Sequence, residues 1–272
     1  MRHSIKPIDQ LIIVKVGTTT MFSNEQGREQ LDHTSLQRIG QQVIRLRQKG
    51  YHIPIVSSGA VTAGMEATKT DLRPSSSQAM PEAQRLATIG WHKVLTAWEA
   101  ALRGIHVGGL LITRRELDLD TPEHDEVLRT THTLLSHGDI PILNENDAIT
   151  HTELLHQSFG QNDTLAAIYA AQVAQSLLFG KQVQLVLLSD VDGVYEDKND
   201  TSSLIREITD IDAYEHFAGS SASGLGVGGM KTKFAAARIA LEAGVEMWIA
   251  NGRADNAIER ALDGEIGTHF KL

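Results

Sequence analysis

Residues 224–233 read Gly-Leu-Gly-Val-Gly-Gly-Met-Lys-Thr-Lys, four glycines running into two lysines, and a run of good helix formers follows at 234–243. Glycine lets the backbone come close to a ligand. A helix N-terminus offers unpaired N–H groups at the positive end of its dipole. Adding Lys231 and Lys233 makes the chemistry anion binding, and the obvious anion is a polyphosphate. Two nucleotide motifs fall just short. Gly224, Gly226 and Gly229 satisfy G-x-G-x-x-G, but no apolar strand leads into them. Met230 interrupts the Gly-Lys-Ser/Thr that a Walker loop requires. A flexible linker ahead of a helix is the competing reading, and lysines at the helix start weigh against it.

Other polar groups stand at the ends of apolar runs. Lys15 lies in the run 11–16, just before Gly17, Thr18 and Thr19. A lysine there could snorkel from a sheet edge, yet its place beside Gly-Thr-Thr favours an anion. Ser57, Ser58 and Gly59 follow the run 51–56, and Asn144, Glu145, Asn146 and Asp147 follow 140–143. Gln161, Asn162 and Asp163 precede a helix at 164–175, where one of them could serve as a cap. Ser189 and Asp190 close the run 182–188, and Asp192-Gly193 reads as a hairpin turn.

The elements that position these groups alternate. Strands are predicted at 11–16, 51–56, 107–112, 140–143, 182–188 and 245–250. Helices are predicted at 31–49, from 60, at 82–102, 123–136 and 164–175, after the glycine stretch, and at 255–262. Residues 71–81 form a polar loop. Trp91 and Trp98 are seven residues apart and share a helix face, which points to core or subunit packing. Alternating strands and helices give an α/β fold, a three-layer αβα sandwich around a mainly parallel sheet. In such a sheet, polar groups at the carboxyl ends of the strands converge on one crevice. Phosphoryl transfer needs cations against phosphate oxygens, a carboxylate to hold those cations, and backbone donors. The clusters above supply all three.

Composition sets the outer limits. The chain has 272 residues, 41% hydrophobic and 22% charged, ordinary for a globular protein with a sizeable core. The absence of cysteine removes disulfides, thiolate metal sites and a cysteine nucleophile. A net charge of −9 argues against broad nucleic-acid binding. No apolar run suggests a membrane span or signal peptide, so a cytoplasmic protein is expected. None of the 12 histidines pairs with another at helical ligand spacing, so no dedicated metal site is expected.

Taken in order, Lys15-Val-Gly-Thr18, Val56-Ser-Ser-Gly-Ala60, Asn144-Glu-Asn-Asp147, Gly160-Gln-Asn-Asp163, Leu187-Leu-Ser-Asp-Val-Asp-Gly-Val-Tyr195 and the glycine stretch through Lys233 resemble the motif series of the amino acid kinase superfamily. Within it the chain is most similar to the glutamate 5-kinases. The resemblance implies one kinase domain over 1–272, without the small RNA-binding-type domain that many members append. It implies transfer of a phosphoryl group from ATP, with Mg2+ arriving on the nucleotide, to the γ-carboxylate of L-glutamate. Another carboxylate, carbamate or phosphate acceptor is the alternative, and a non-catalytic sensor a further one. By the same resemblance Lys15, Lys233 and Asp163 are the catalytic group. Lys15, Gly17, Ser189, Asp190, Gly226, Val227, Gly228, Gly229, Met230, Lys231, Thr232 and Lys233 bind nucleotide. Ser58, Gly59, Asp147 and Asn162 hold the amino acid. A homo-oligomer is expected, with the helix at 82–102 as its candidate interface. The chain departs from the family pattern at Gln161, where an acid is usual, at Trp91, where glutamine is usual, and around 127–129, where an asparagine is missing.

Overall fold

The computed structural model describes residues 8–25, 27–70, 80–119, 121–149, 162–197, 199–218 and 229–272. From the N-terminal side the elements are β1 (Ile8–Val16), α1 (Thr18–Met21), the hairpin β2 (Phe22–Glu25) and β3 (Arg28–Leu31), α2 (His33–Gln48), β4 (Ile55–Ser57), α3 (Ala60–Thr68), α4 (Met80–Ala101), β5 (Val107–Ile112), α5 (Pro122–Ser136) and β6 (Ile140–Glu145). The second half contains α6 (Asn162–Gln175), β7 (Phe179–Ser189), β8 (Val194–Tyr195), β9 (Leu204–Ile205), β10 (Glu207–Ile208), α7 (Ile211–Tyr214), α8 (Met230–Glu242), β11 (Glu246–Asn251), α9 (Ala257–Leu262) and β12 (Thr268–Phe270).

Eight strands form one sheet in the order β10-β12-β11-β7-β1-β4-β6-β5. Every pairing in it is parallel except that of β11 with β12. A parallel sheet of this kind must be covered on both faces, and two clusters of buried residues do so. On one face Leu11 and Ile13 of β1 pack with α5, α6 and α8. On the other, Ile12, Val14 and Val16 pack with α2, α3, α4 and α9. This is why 11–16 reads as an apolar run interrupted only by Lys15. The period of two also puts Lys15 on the face covered by α6 and α8.

β1 is central, β4, β6 and β5 lie to one side, and β7, β11, β12 and β10 lie to the other. The chain therefore changes direction beside β1, where open α/β sheets leave a crevice. Three boundaries differ from the sequence expectation for physical reasons. The helix expected from 31 starts at His33, because Leu31 pairs with Phe22 in the hairpin and the Asp32 carboxylate accepts from Ser35 N–H at 2.9 Å as the cap. The strand expected at 51–56 is regular only over Ile55–Ser57, with His52 making an isolated bridge to Leu11. β6 runs two residues past Leu143, so Asn144 and Glu145 are buried strand residues and not part of a solvated turn.

The hairpin expected at Asp192-Gly193 does not form on β7. Val194 N–H instead donates to Thr268 Oγ1 at 2.8 Å, and β8 pairs with β9 across a longer loop. A Cβ on Gly193 would lie 2.4 Å from Thr268 Oγ1, so glycine permits this crossing. Most of the expected loop at 71–81 lies outside the described residues, while Met80 and Pro81 begin α4.

Candidate active site

Lys15 near the end of β1, Asp163 in the first turn of α6 and Lys233 in the first turn of α8 meet at the crevice. Lys15 Nζ lies 2.6 Å from Asp163 Oδ1, and Lys233 Nζ lies 3.1 Å from Asp163 Oδ2. Relative exposure is 9% for Lys15, 2% for Asp163 and 5% for Lys233, so a snorkelling lysine is ruled out. Burial alone would push the Asp163 carboxyl up. The two ammonium groups outweigh it and hold the carboxyl well below the usual carboxylate range. The helix N-terminus adds in the same direction. Two cations around one anion leave a net positive charge, in a chain whose overall charge is −9.

The first turn of α8 stands at this triad. Its cap residue, Gly229, makes no side-chain hydrogen bond to the first-turn N–H groups. Thr232 Oγ1 donates to Gly229 O at 2.8 Å and stands 3.4 Å from Asp163 Oδ2. The helix starts at Met230, earlier than the run of helix formers suggests, and this directs Lys233 inward while Lys231 is exposed. Gly226, Val227 and Gly228 lie outside the described residues. Beneath the cations, Gly17 N–H donates to Leu188 O at 3.1 Å. A Cβ on Gly17 would stand 3.5 Å from Lys15 Nζ, an ordinary contact, so Gly17 lies directly beside that ammonium.

Beside this group is a second polar network. Asn162 Nδ2 donates to Ser58 Oγ and to Asn144 Oδ1, both at 2.9 Å, and Asn162 Oδ1 accepts from Glu145 N–H at 3.3 Å. Gly59 has φ +99, and a Cβ there would lie 2.6 Å from Phe22, so only glycine makes the turn from β4 into α3. Asp147 is half-buried beyond the end of β6. It lines a cleft with Ala60, Thr88, Trp91, Asn144 and Glu145. Thus Ser58 and Asn162 are joined directly, and Asp147 stands along the same strand end. Of the three departures from the family pattern, Trp91 falls on this cleft. Val127 and Leu128 are core residues of α5, and Gln161 lies outside the described residues.

Ser189 and Asp190 close β7 on the far side of β1. Ser189 Oγ donates to Asp190 Oδ1 at 3.1 Å, and Ser189 O accepts from Gly252 N–H at 2.8 Å. Several supporting residues escaped the sequence reading. Asn251 Nδ2 donates to Asp192 Oδ1 at 2.9 Å. Arg253 Nη2 donates to Thr19 O at 2.9 Å and to Phe22 O at 3.3 Å, tying the turn after β11 to α1. Trp98 Nε1 donates to Ser57 Oγ at 2.9 Å, directly behind Ser58. The strand-end rule applied to the run 245–250 flags Asn251. Nothing in the sequence signals Arg253 or the Trp98 bond. Among the described residues, no group of three or more His, Asp or Glu side chains could hold a metal ion. No helix among them is long and apolar enough to cross a membrane.

An open, mainly parallel α/β sheet with paired ammonium groups at its strand ends is a phosphoryl-transfer scaffold. Residues 10–251 match the model of the Amino acid kinase family, and the chain belongs to that family and is a phosphotransferase. It is 35% identical over 269 residues to Glutamate 5-kinase 2 of Pseudoalteromonas translucida, covering 96% of this chain and 68% of that protein. To Glutamate 5-kinase of Photobacterium profundum it is 36% identical over 271 residues, covering 97% of this chain and 67% of the relative. Among solved structures, an isopentenyl phosphate kinase superposes with TM-score 0.62 at 17% identity, covering 96% of this chain and all of that one (100%). UMP kinase from Ureaplasma parvum gives TM-score 0.60 at 16% identity, with 97% and 100% covered. At these identities the two structures speak for the fold alone.

Proposed function

We propose that the chain, as one kinase domain over 1–272, catalyses the glutamate 5-kinase reaction, moving the γ-phosphoryl group of ATP onto the γ-carboxylate of L-glutamate. A carboxylate oxygen forms a bond to the γ-phosphorus as the bond to the β,γ-bridging oxygen breaks. The products are γ-glutamyl phosphate and ADP, the first being the activated intermediate of proline synthesis. The carboxylate is already ionised at neutral pH, so no general base is required. Lys15 and Lys233 neutralise charge on the transferring phosphate. Asp163 keeps the two ammonium groups apart and aimed. The uncapped first turn of α8 and the strand end at Ser189 and Asp190 take the nucleotide, with Gly17 beside Lys15. Ser58, Gly59, Asp147 and Asn162 hold the amino acid. Mg2+ carried by the polyphosphate would add charge neutralisation, its ligands phosphate oxygens and water.

The observation that carries this reading is the ion triad Lys15–Asp163–Lys233 at the strand ends, in a chain about a third identical to glutamate 5-kinases. The triad also weighs against a non-catalytic sensor, which has no need of two buried lysines on one carboxylate. A second reading keeps the chemistry and changes the acceptor to another carboxylate, a carbamate or a phosphate. Its support is Trp91, a large apolar wall in the cleft beside Asp147, together with Gln161. A coupled ADP-release assay separates the two, run with glutamate, aspartate, N-acetylglutamate and carbamate and with hydroxylamine to trap any acyl phosphate. Glutamate-dependent hydroxamate is expected. Strong turnover on another acceptor with none on glutamate would replace the first reading by the second.

A further inference from the structure

The sheet has a second end. At the amino-terminal ends of β4 and β6, opposite the crevice, a cavity of about 390 Å3 opens between the last turn of α2, residues 50–52 and the turn from α5 into β6. That volume lies within the range of small-molecule sites, roughly 300–1,000 Å3. Arg47, Gln48, Tyr51, His52 and Asp139 supply its polar side chains, and Ile105 and Leu135 part of its apolar lining. β6 separates it from the active-site crevice by about 20 Å at roughly 3.3 Å per residue, so it is a separate site.

The distribution of charge identifies the ligand class. The Arg47 guanidinium donates to Gly138 O. Among the described residues, no carboxylate lies within ion-pair distance of it. A guanidinium carries five N–H donors, and Arg47 lines the cavity. Burial pulls Arg47 below its usual value, and Asp139 only partly offsets this. His52 is pushed down by burial, then by Arg47, then by His132, which reaches it from α5. Arg47, His52 and Asp139 share the cavity wall, with His132 of α5 near enough to act on His52. Gly138, at φ +83, would place a Cβ 3.4 Å from Arg47 Nη2, so the turn that seats the guanidinium depends on glycine.

We propose that this cavity is a binding site for a small oxyanion, a carboxylate or a phosphate group, gripped by the Arg47 guanidinium with the His52 imidazole as second donor. Arg forks match both anions in two-point geometry. The anion adds a counter-charge to Arg47 beyond that of Asp139 and draws a proton onto His52, so binding tightens as pH falls through the imidazole range. Asp139 at the rim opposes large multivalent anions, and His132 behind His52 works with the anion.

The test titrates inorganic phosphate and, separately, succinate into the unmodified protein, following the His52 ring by NMR and binding heat by calorimetry. Saturable shifts of His52 are expected, with its pKa rising on binding. Saturation by phosphate alone would assign a phosphorylated ligand, and by succinate alone a carboxylate ligand. Lys233→Met, altered only in the active-site crevice, should retain this binding. Arg47→Gln should weaken it at least about tenfold, and so should His52→Gln if the first variant unfolds. A silent His52 ring with both anions would overturn the proposal. Loss of all binding in Lys233→Met, or full binding in a folded Arg47→Gln, would do the same.

Discussion

Asp163 is the residue on which the site depends twice, for geometry and for charge. With its pKa held below the ordinary value, the folded state binds a proton less readily than the unfolded chain. Its stabilisation is therefore complete above the unfolded value, about pH 4, and is lost as pH falls through the lower folded value. Urea unfolding at stepped pH should show the natural protein losing stability more steeply below about pH 4 than Asp163→Asn. The variant should already be weaker at neutral pH by about 3–5 kcal/mol, having removed the carboxylate that two buried ammonium groups share. Parallel pH profiles would contradict the assignment. Lys233→Ala is the complementary change: it should stay folded while turnover falls by roughly 10³-fold or more, since a cation on the transferring phosphate acts mainly in the transition state. A loss confined to KM would show uniform binding instead. Lys15 was legible because a lysine is a misfit in an apolar strand. Asp163 was less so, because a carboxylate at a helix start is also an ordinary cap.

At the scale of elements, the strand ends hold the site and the helices hold the strand ends. Trp98 shows how. Its indole is fully buried in α4, as the seven-residue spacing with Trp91 suggested, but its N–H also holds the Ser57 hydroxyl. That hydroxyl stands next to Ser58, which Asn162 connects to Asn144. Trp98→Phe keeps most of the packing and removes the donor. It should cost about 1–3 kcal/mol and raise KM for the amino acid more than it lowers kcat. Equal falls in kcat for saturating and limiting acceptor would place the effect elsewhere. Helix periodicity could not reveal this bond, because its two ends are 41 residues apart. The extension of β6 through Asn144 and Glu145 was hidden for a related reason. Two polar residues look solvated in sequence, whereas both are buried and Asn162 bonds the Asn144 side chain and the Glu145 N–H.

At the scale of the molecule, the alternation of apolar runs and amphipathic stretches sufficed for a parallel sheet covered on both faces, and the strand-end rule sufficed to gather Lys15, Ser58, Asn162 and Ser189 at one edge. The hairpin β2–β3 and the reversal of β12 were not legible. Short polar strands carry no period, and the direction of β12, which lies between β10 and β11, depends on partners outside its own three residues. What the sheet brings together should also be what ligands tighten. The crevice draws on β1, β4, β6, β7, α6 and α8, so a nucleotide spanning it connects both halves of the chain to one anion. A ligand that binds only the folded state at 100 times its Kd stabilises by about 2.7 kcal/mol. For a chain of this size that is roughly 5–10 °C in Tm. A non-hydrolysable ATP analogue with Mg2+ should give such a shift in the natural protein, and a much smaller one in Lys233→Ala. Glutamate added on top should raise Tm further if Ser58 and Asn162 complete their site only when the phosphate end is filled. Equal shifts in the natural protein and Lys233→Ala would mean that the nucleotide binds without the triad, and the triad would then be structural.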